Sequence, residues 1–282
     1  MKGDIIVAID FSACSVNALR HAVTIAAKAQ SRVIMVHVLK GTGNPPVIYK
    51  YADPMDQATK LLEELVEEFK DRLPEGNLVF RIRNGKVYRE VVEEARENDA
   101  SLIVAGTHGS SGFEEFWIGS NAYRMVASAP CPVITIREAV RIDYDLKRIV
   151  LPIDTSIDTR QKVIYAVKLA KIFDAEIHIL TLLEGTVREV HFTANAYAKQ
   201  VAEIIEKANV PYVLTSVKSK NNSDSILTYA SKVEANLIVI MTDQEPRAIN
   251  LLLGQYAQQL INLSSIPVMS VPPKELMLMG SR

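Results

Sequence analysis

Two short segments carry the residue types that could hold a charged ligand. One is Asp10-Phe11-Ser12, a carboxylate and a hydroxyl two positions apart at the end of an apolar run. The other is Gly106-Thr107-His108-Gly109-Ser110-Ser111-Gly112, followed by Gly119-Ser120. Glycine lets backbone N–H groups approach an anion closely. A helix opening at Gly119 would add its unpaired first N–H groups and its dipole, and Ser120 a hydroxyl donor. Together these would grip a chain of phosphates; a plain glycine turn with a helix cap is the alternative. The segment lacks the Gly-Lys-Ser/Thr of a P-loop and the GxGxxG of a dinucleotide fingerprint.

Other reactive chemistry is sparse. His108, inside the glycine loop, would touch phosphate or titrate near neutral pH, or simply face solvent. Asp10 and His108 are the only candidates for a base at a reacting phosphate. Glu114 and Glu115 would hold Mg²⁺ or stand as solvated carboxylates, and the charge run Glu63–Asp71 reads as a solvated helix face. No pair of histidines, cysteines or carboxylates has recognisable metal-ligand spacing. His37 and His178 lie in apolar runs and read as hydrogen-bonded core residues. Cys14, near a helix start, reads as a small buried hydrophobe rather than an activated thiol, and Cys131, between two prolines, as structural. Phe116, Trp117 and Ile118 form an apolar cluster that would pack the loop down or serve as a contact surface, core packing being the favoured reading.

The elements that would position these residues alternate between strand and helix. Ile5–Ile9, Val33–Leu39, Leu78–Ile82, Leu102–Ala105 and Val133–Ile136 are short, mostly apolar runs, as buried parallel strands are. Between the first two, Val16, Leu19, Val23 and Ala26 recur at helical spacing, with Ser12 or Ser15 as N-cap. Met55, Ala58, Leu61, Leu62, Leu65 and Phe69 form one face of a second helix. Val91, Val92 and Ala95 mark a third, and Gly119 to about Ala129 a fourth. Right-handed crossovers then imply a parallel sheet covered on both faces.

This order occurs twice. Ile5 to Ser12 aligns with Ile149 to Ser156 at an offset of 144, whereas Ile103-Val104, Gly119 and Pro132-Val133 align with Ile238-Val239, Gly254 and Pro267-Val268 at an offset of 135. The first copy therefore carries nine extra residues, and Gly41 to Pro54 is the natural place for them. The chain reads as two tandem doubly wound α/β domains, each a five-stranded parallel sheet, at 1–140 and 146–273, with a tail at 274–282. The second copy loses the glycine segment: Gly106 becomes Met241, Gly109 Gln244, Gly112 Arg247 and Ser120 Gln255, while Asp154 and Gly254 persist. Nine of the twelve glycines lie in the first half, which places a single phosphate grip there. Arg247 would matter only if the second copy took a different anion.

Composition sets the outer bounds. The 282 residues are 48% hydrophobic and 23% charged with a net charge of −1, ordinary globular usage without a basic field for nucleic acid or anionic lipid. Two cysteines suit a reducing cytoplasm. The first ten residues are too short and too acidic for a signal peptide, and no apolar run reaches the ~20 residues of a membrane span.

Gly106-x2-Gly109-x9-Gly119-Ser120, followed by Ala129-Pro130-Cys131-Pro132-Val133, resembles the universal stress protein family, as do Ile9-Asp10-Phe11-Ser12 and Val36-His37-Val38. The resemblance covers nearly the whole chain as two copies. It implies an adenine nucleotide alpha hydrolase-like fold with strand order 3-2-1-4-5, which would bring Asp10 and the glycine loop together at the switch point. It also implies bound ATP, or ADP or AMP, with or without Mg²⁺. The implied site is Ile9, Asp10, Ser12, Val38, Gly106, His108, Gly109, Gly119, Ser120 and Asn121. Asp10 would lie near the ribose or adenine, Val38 would offer backbone hydrogen bonds to adenine, and Gly106, Gly109, Gly119 and Ser120 would surround the phosphates. Ala8 departs from a frequent proline, and Asn121-Ala122 from a frequent valine with a small or hydroxyl residue; neither removes a backbone donor.

The expected function is therefore an ATP-binding regulatory or stress-response protein of the cytoplasm, with a degenerate second domain. A slow ATP hydrolase or adenylyl-transferring enzyme is one alternative, and a structural pseudo-dimer without nucleotide is another. The fifth strands would be exposed sheet edges needing cover. By resemblance they would pair within the chain as an intramolecular pseudo-dimer, with a homodimer of chains as a further level of assembly and the protein partner unknown.

Overall fold

The computed structural model describes residues 3–39, 53–107, 118–137, 146–242 and 253–273. It divides into two compact units, Met1–Ile142 and Asp143–Arg282.

In the first unit five strands, β1 (Ile5–Ile9), β2 (Val33–Leu39), β3 (Leu78–Asn84), β4 (Leu102–Gly106) and β5 (Val133–Ile136), alternate with four helices, α1 (Ala13–Ala29), α2 (Pro54–Phe69), α3 (Val87–Glu97) and α4 (Ser120–Ser128). The strands are all parallel, in the order β3-β2-β1-β4-β5. Register places Ile9 beside His37 and Val7 beside Val104. The central strands read as continuous apolar runs because helices cover both faces, and Ile5, Ile6, Val7, Leu102, Ile103 and Val104 are fully buried.

Local chemistry sets the helix ends. Ser12 caps α1, its hydroxyl accepting from the Ser15 amide, and Gln30 closes the helix in the left-handed region. Asp53 caps α2 ahead of Pro54, where a missing N–H costs nothing. That helix buries Ala58, Leu62, Leu65 and Phe69 and turns its glutamates to solvent.

The second unit repeats the plan with β6 (Arg148–Ile153), α5 (Val163–Phe173), β7 (Glu176–Glu184), α6 (Arg188–Lys207), β8 (Tyr212–Ser219), α7 (Asn222–Lys232), β9 (Leu237–Met241), α8 (Gln255–Leu263) and β10 (Val268–Val271). Its parallel order is β8-β7-β6-β9-β10, the same 3-2-1-4-5 winding. The expected fold and strand order are thus observed in each copy. β2 ends at Leu39 and α2 begins at Pro54, whereas β7 ends at Glu184 and α6 begins at Arg188, so the extra length falls between second strand and second helix. No helix among the described residues is long and apolar enough to cross a membrane.

One half-buried side chain makes stability depend on pH. Burial pulls the His21 imidazole down to about 3, and its Nε2 is enclosed without a hydrogen-bond partner among the described residues. The unfolded chain protonates this group near 6.5. Between the two values the unfolded state binds more protons, so stability present above pH 6.5 is lost as pH falls. The slope is up to about 1.4 kcal/mol per pH unit, or about 2 kcal/mol by pH 5. His37, also lowered by burial, adds in the same direction. Melting of the wild type and His21→Phe across this range checks the point: the variant's acid limb should be flatter, and identical limbs would refute the assignment.

Candidate functional site

The carboxyl ends of β1 and β4 meet at the start of α1. The Asp10 carboxylate accepts from the Ser12 amide at 3.1 Å and from its hydroxyl at 2.6 Å through the same oxygen. Ser15 Oγ closes the turn, donating to the Ser12 carbonyl at 3.0 Å and lying 3.3 Å from the Asp10 amide. Asp10 and Ser12 are therefore fixed in position before any ligand arrives. The same arrangement recurs in the second unit: Ser156 donates its amide and hydroxyl to Asp154 at 2.9 and 2.6 Å, with Thr159 in place of Ser15. The persistence of Asp154 thus reflects the geometry of this turn, which both copies need whether or not a ligand binds.

Phe11, between Asp10 and Ser12, adopts φ +63°. For a bulky side chain this left-handed conformation is an outlier that surrounding contacts must hold. Its ring lies 4.7 Å from the His37 ring, tilted by 36°, and His37 Nδ1 is 2.9 Å from the Ile9 carbonyl. Burial lowers the His37 pKa, so the ring is neutral, with Nδ1 as donor and its tautomer set. Other left-handed residues recur at matching positions of the two copies, Gln30 with Asp174 and Asp99 with Glu234, whereas Phe11 has no left-handed counterpart at Thr155. Ile9 and Val38 are buried at the ends of β1 and β2.

Gly106 ends β4 against the first turn of α1. A Cβ there would stand 2.8 Å from Cys14 Sγ and 3.1 Å from the Cys14 carbonyl carbon. The lack of a side chain at Gly106 therefore answers a close approach of strand and helix. Cys14 is 2% exposed, its thiol directed to the Ile136 carbonyl at 3.2 Å, and burial pushes the Cys131 thiol up to about 12. Both behave as core residues. Thr107 donates its amide to Ile136 and accepts from the Gly119 amide at 2.7 Å, so the strand end and the start of α4 are tied directly together.

Gly119 is the N-cap of α4 with φ −58° and ψ 145° and gives no side-chain cap. Among the described residues the first amides of α4 are thus without the usual hydroxyl or carboxylate acceptor. Ser120 is exposed and Asn121 half-buried on that first turn. His108, Gly109 and Gly112 lie outside the described residues, as do Glu114, Glu115, Phe116 and Trp117. Among the described residues no group of three or more His, Cys, Asp or Glu side chains is placed to hold a metal ion.

At the matching place of the second unit, Met241 ends β9 and is buried. The stretch corresponding to the start of α1 is a 3-10 turn, Ile157–Arg160, and α5 begins only at Val163. The longer side chain stands where glycine admits Cys14, and the regular helix start is missing there.

Two features were not legible beforehand: the strained Phe11, since no glycine marks a left-handed position, and the packing role of Gly106, since Cys14 is distant in sequence.

The Universal stress protein family model matches residues 1–137 and 145–272. Universal stress protein YxiE of Bacillus subtilis is 29% identical over 150 residues, covering 49% of this chain and all of that protein. A universal stress protein structure from Archaeoglobus fulgidus superposes with a TM-score of 0.75 at 16% identity, covering 95% of this chain and 98% of its own, a likeness of fold. A shorter one from the same organism, solved in complex with dAMP, covers 45% of this chain and 99% of its own, with 22% identity and a TM-score of 0.38.

Proposed function

Since the chain belongs to the universal stress protein family, we propose that its first unit binds an adenine nucleotide, ATP foremost, and reports that binding to a protein partner as a regulatory or stress-response element. The observation that carries this reading is the junction at the ends of β1 and β4. There the fixed Asp10–Ser12 turn, the bare Gly106 and the uncapped start of α4 adjoin one another. In a parallel sheet of this winding that is the crevice where ligands sit.

Asp10 and Ser12 would hold the sugar side, Ile9 and Val38 would flank the base, and the amides from Gly119 to Asn121 would meet the phosphates. His108 and Gly109 would complete the cradle. Mg²⁺ would arrive bound to the phosphates, which suits a cation that keeps most of its water. Ligand binding would alter the surface around the start of α4 and so shift the population a partner reads.

Thermal melting with ATP and Mg²⁺ tests this on the wild type and Gly119→Val. Val tolerates the φ and ψ of Gly119 and would place a branched side chain at the phosphate entrance; an unligated melting temperature near that of the wild type checks that the variant is folded. Nucleotide at about 100 times Kd should stabilise the wild type by about 2.7 kcal/mol, and the shift should vanish in the variant. No shift with ATP, ADP or AMP, or an equal shift in both proteins, would overturn the assignment to the first unit.

A further inference from the structure

Two guanidiniums of the first unit converge on Tyr88 beside α4, and Lys86, the N-cap of α3, lies two residues before that tyrosine. Tyr88 is the second residue of α3, and α3 packs beside α4. Arg89 donates Nε–H to the Tyr88 hydroxyl at 3.0 Å, and the guanidiniums of Arg124 and Arg89 lie 5.3 and 5.8 Å from the ring centroid. That hydrogen bond, with the charges of Arg89, Arg124 and Lys86, lowers the Tyr88 pKa against its desolvation.

Two features together set these cations apart: two of them gather on one ring, and no carboxylate among the described residues neutralises the group. Arg20, Arg32, Arg83 and Arg96 each meet a carboxylate. Among the described residues, Lys86, Arg89 and Arg124 meet none within ion-pair distance. Like charges gathered this way repel one another, and an anion between them relieves the repulsion. Guanidiniums suit phosphate because their donors form a rigid fork.

Position ties the cluster to the proposed nucleotide. Arg124 lies four residues after Ser120 on α4, hence on the same helix face, and helical side chains lean back toward the N-terminus. The second copy supplies an internal comparison. Lys86, Tyr88, Arg89 and Arg124 correspond to Asn221, Ser223, Asp224 and Gln259. Three positive charges become one negative, and Ser223 and Gln259 satisfy each other through a hydrogen bond of 3.1 Å. The copy that lost the glycine segment lost the whole cluster with it.

We propose that Lys86, Arg89 and Arg124 form an anion site, next to the phosphate cradle, that takes the far end of a phosphoanhydride chain and makes the first unit prefer a nucleoside triphosphate to a monophosphate. The preference rests on the nucleotide reading above; the anion site itself is probed separately with inorganic tripolyphosphate.

Calorimetric titration of the full chain with ATP, AMP and tripolyphosphate, for wild type, Arg124→Gln and Arg89→Gln, decides it. Both substitutions are exposed and should leave the melting temperature unchanged. Each should weaken ATP and tripolyphosphate by about tenfold or more, the loss expected for one charged hydrogen-bonding partner, while AMP stays within about twofold. Arg124→Lys, which keeps charge without the fork, should recover only part of the loss. Equal weakening of ATP and AMP, or unchanged affinity for all three, would overturn the proposal. Wild type that binds tripolyphosphate but no adenine nucleotide would support the anion site and sink the nucleotide reading. Wild type that binds adenine nucleotides but not tripolyphosphate, with Arg124→Gln silent, would do the reverse.

Discussion

Arg83→Met is expected to destabilise the first unit by about 3–5 kcal/mol, the usual consequence of stranding a buried charge. Glu94, on the inner face of α3, is 2% exposed. Its carboxylate receives Nε–H of Arg83 at 2.6 Å on one oxygen and the Asn98 amide at 2.9 Å on the other. Arg83 also reaches Glu97, and Glu90 lies 3.7 Å away. The other nearby guanidinium, Arg32, is already committed to Asp4. With Arg83 gone, Asn98 alone remains to balance a charge held away from water. The pair as a whole adds little net stability, because burying both ions cancels most of their attraction. Arg83→Met with Glu94→Met should therefore recover most of the loss.

Nature has made a similar exchange in the second unit. Tyr229 stands where Glu94 does, its hydroxyl 3.0 Å from His178 Nδ1 and 3.4 Å from Thr215. A hydrogen-bonded tyrosine thus serves under α7 where an arginine–glutamate pair serves under α3. Urea unfolding followed by exchange of the α3 amides reads the first unit selectively. A single-variant loss below about 1 kcal/mol, typical of exposed pairs, or a double variant no better than the single, would contradict the account.

The fold was legible because the apolar runs are short, β-branched and repeated. The expected limits of β1, β2 and β5 match the observed strands, and of the two serines expected as helix cap, Ser12 or Ser15, Ser12 is the one observed. β3 and β4 each run further than the hydrophobic pattern suggested, to Asn84 and Gly106, because ladder hydrogen bonding continues past the last apolar side chain. The site was legible only in part. Asp10, Ser12, Gly119 and Ser120 stand out as residue types at a strand end or helix start, and local backbone rules suffice to place them. Phe11 in the left-handed region, the Arg83–Glu94 pair and the cations around Tyr88 all depend on tertiary neighbours. Tyr88 and Arg124 sit on different helices, and nothing in their spacing reveals that α3 and α4 lie side by side.

Gly106→Met, which installs the residue of the second copy, should cost about 3 kcal/mol, at the upper end of overpacking in a dense core. The cost begins at Cβ and grows with the rest of the side chain. That atom would meet Cys14 Sγ at 2.8 Å, the Cys14 carbonyl carbon at 3.1 Å and Cys14 Cβ at 3.2 Å. Cys14 cannot swing away freely, because its Sγ points to the Ile136 carbonyl and its backbone belongs to the first turn of α1. Relief must come from moving that turn, and the second unit shows the form it takes: a 3-10 turn ahead of a late-starting helix. Gly106→Ala should show a smaller loss of about 1 kcal/mol, and Cys14→Ala, which removes the nearest atom, should recover part of it. The displaced turn carries Ser12 and so the fixing of Asp10, so the nucleotide-induced thermal shift should fall together with stability. Amide exchange from Ala13 to Asn17 should quicken in Gly106→Met while α3 stays protected. Undiminished stability would mean that strand and helix part more easily than their contact distances imply. Lost nucleotide binding with unchanged exchange would mean that Gly106 acts on the ligand directly rather than through α1.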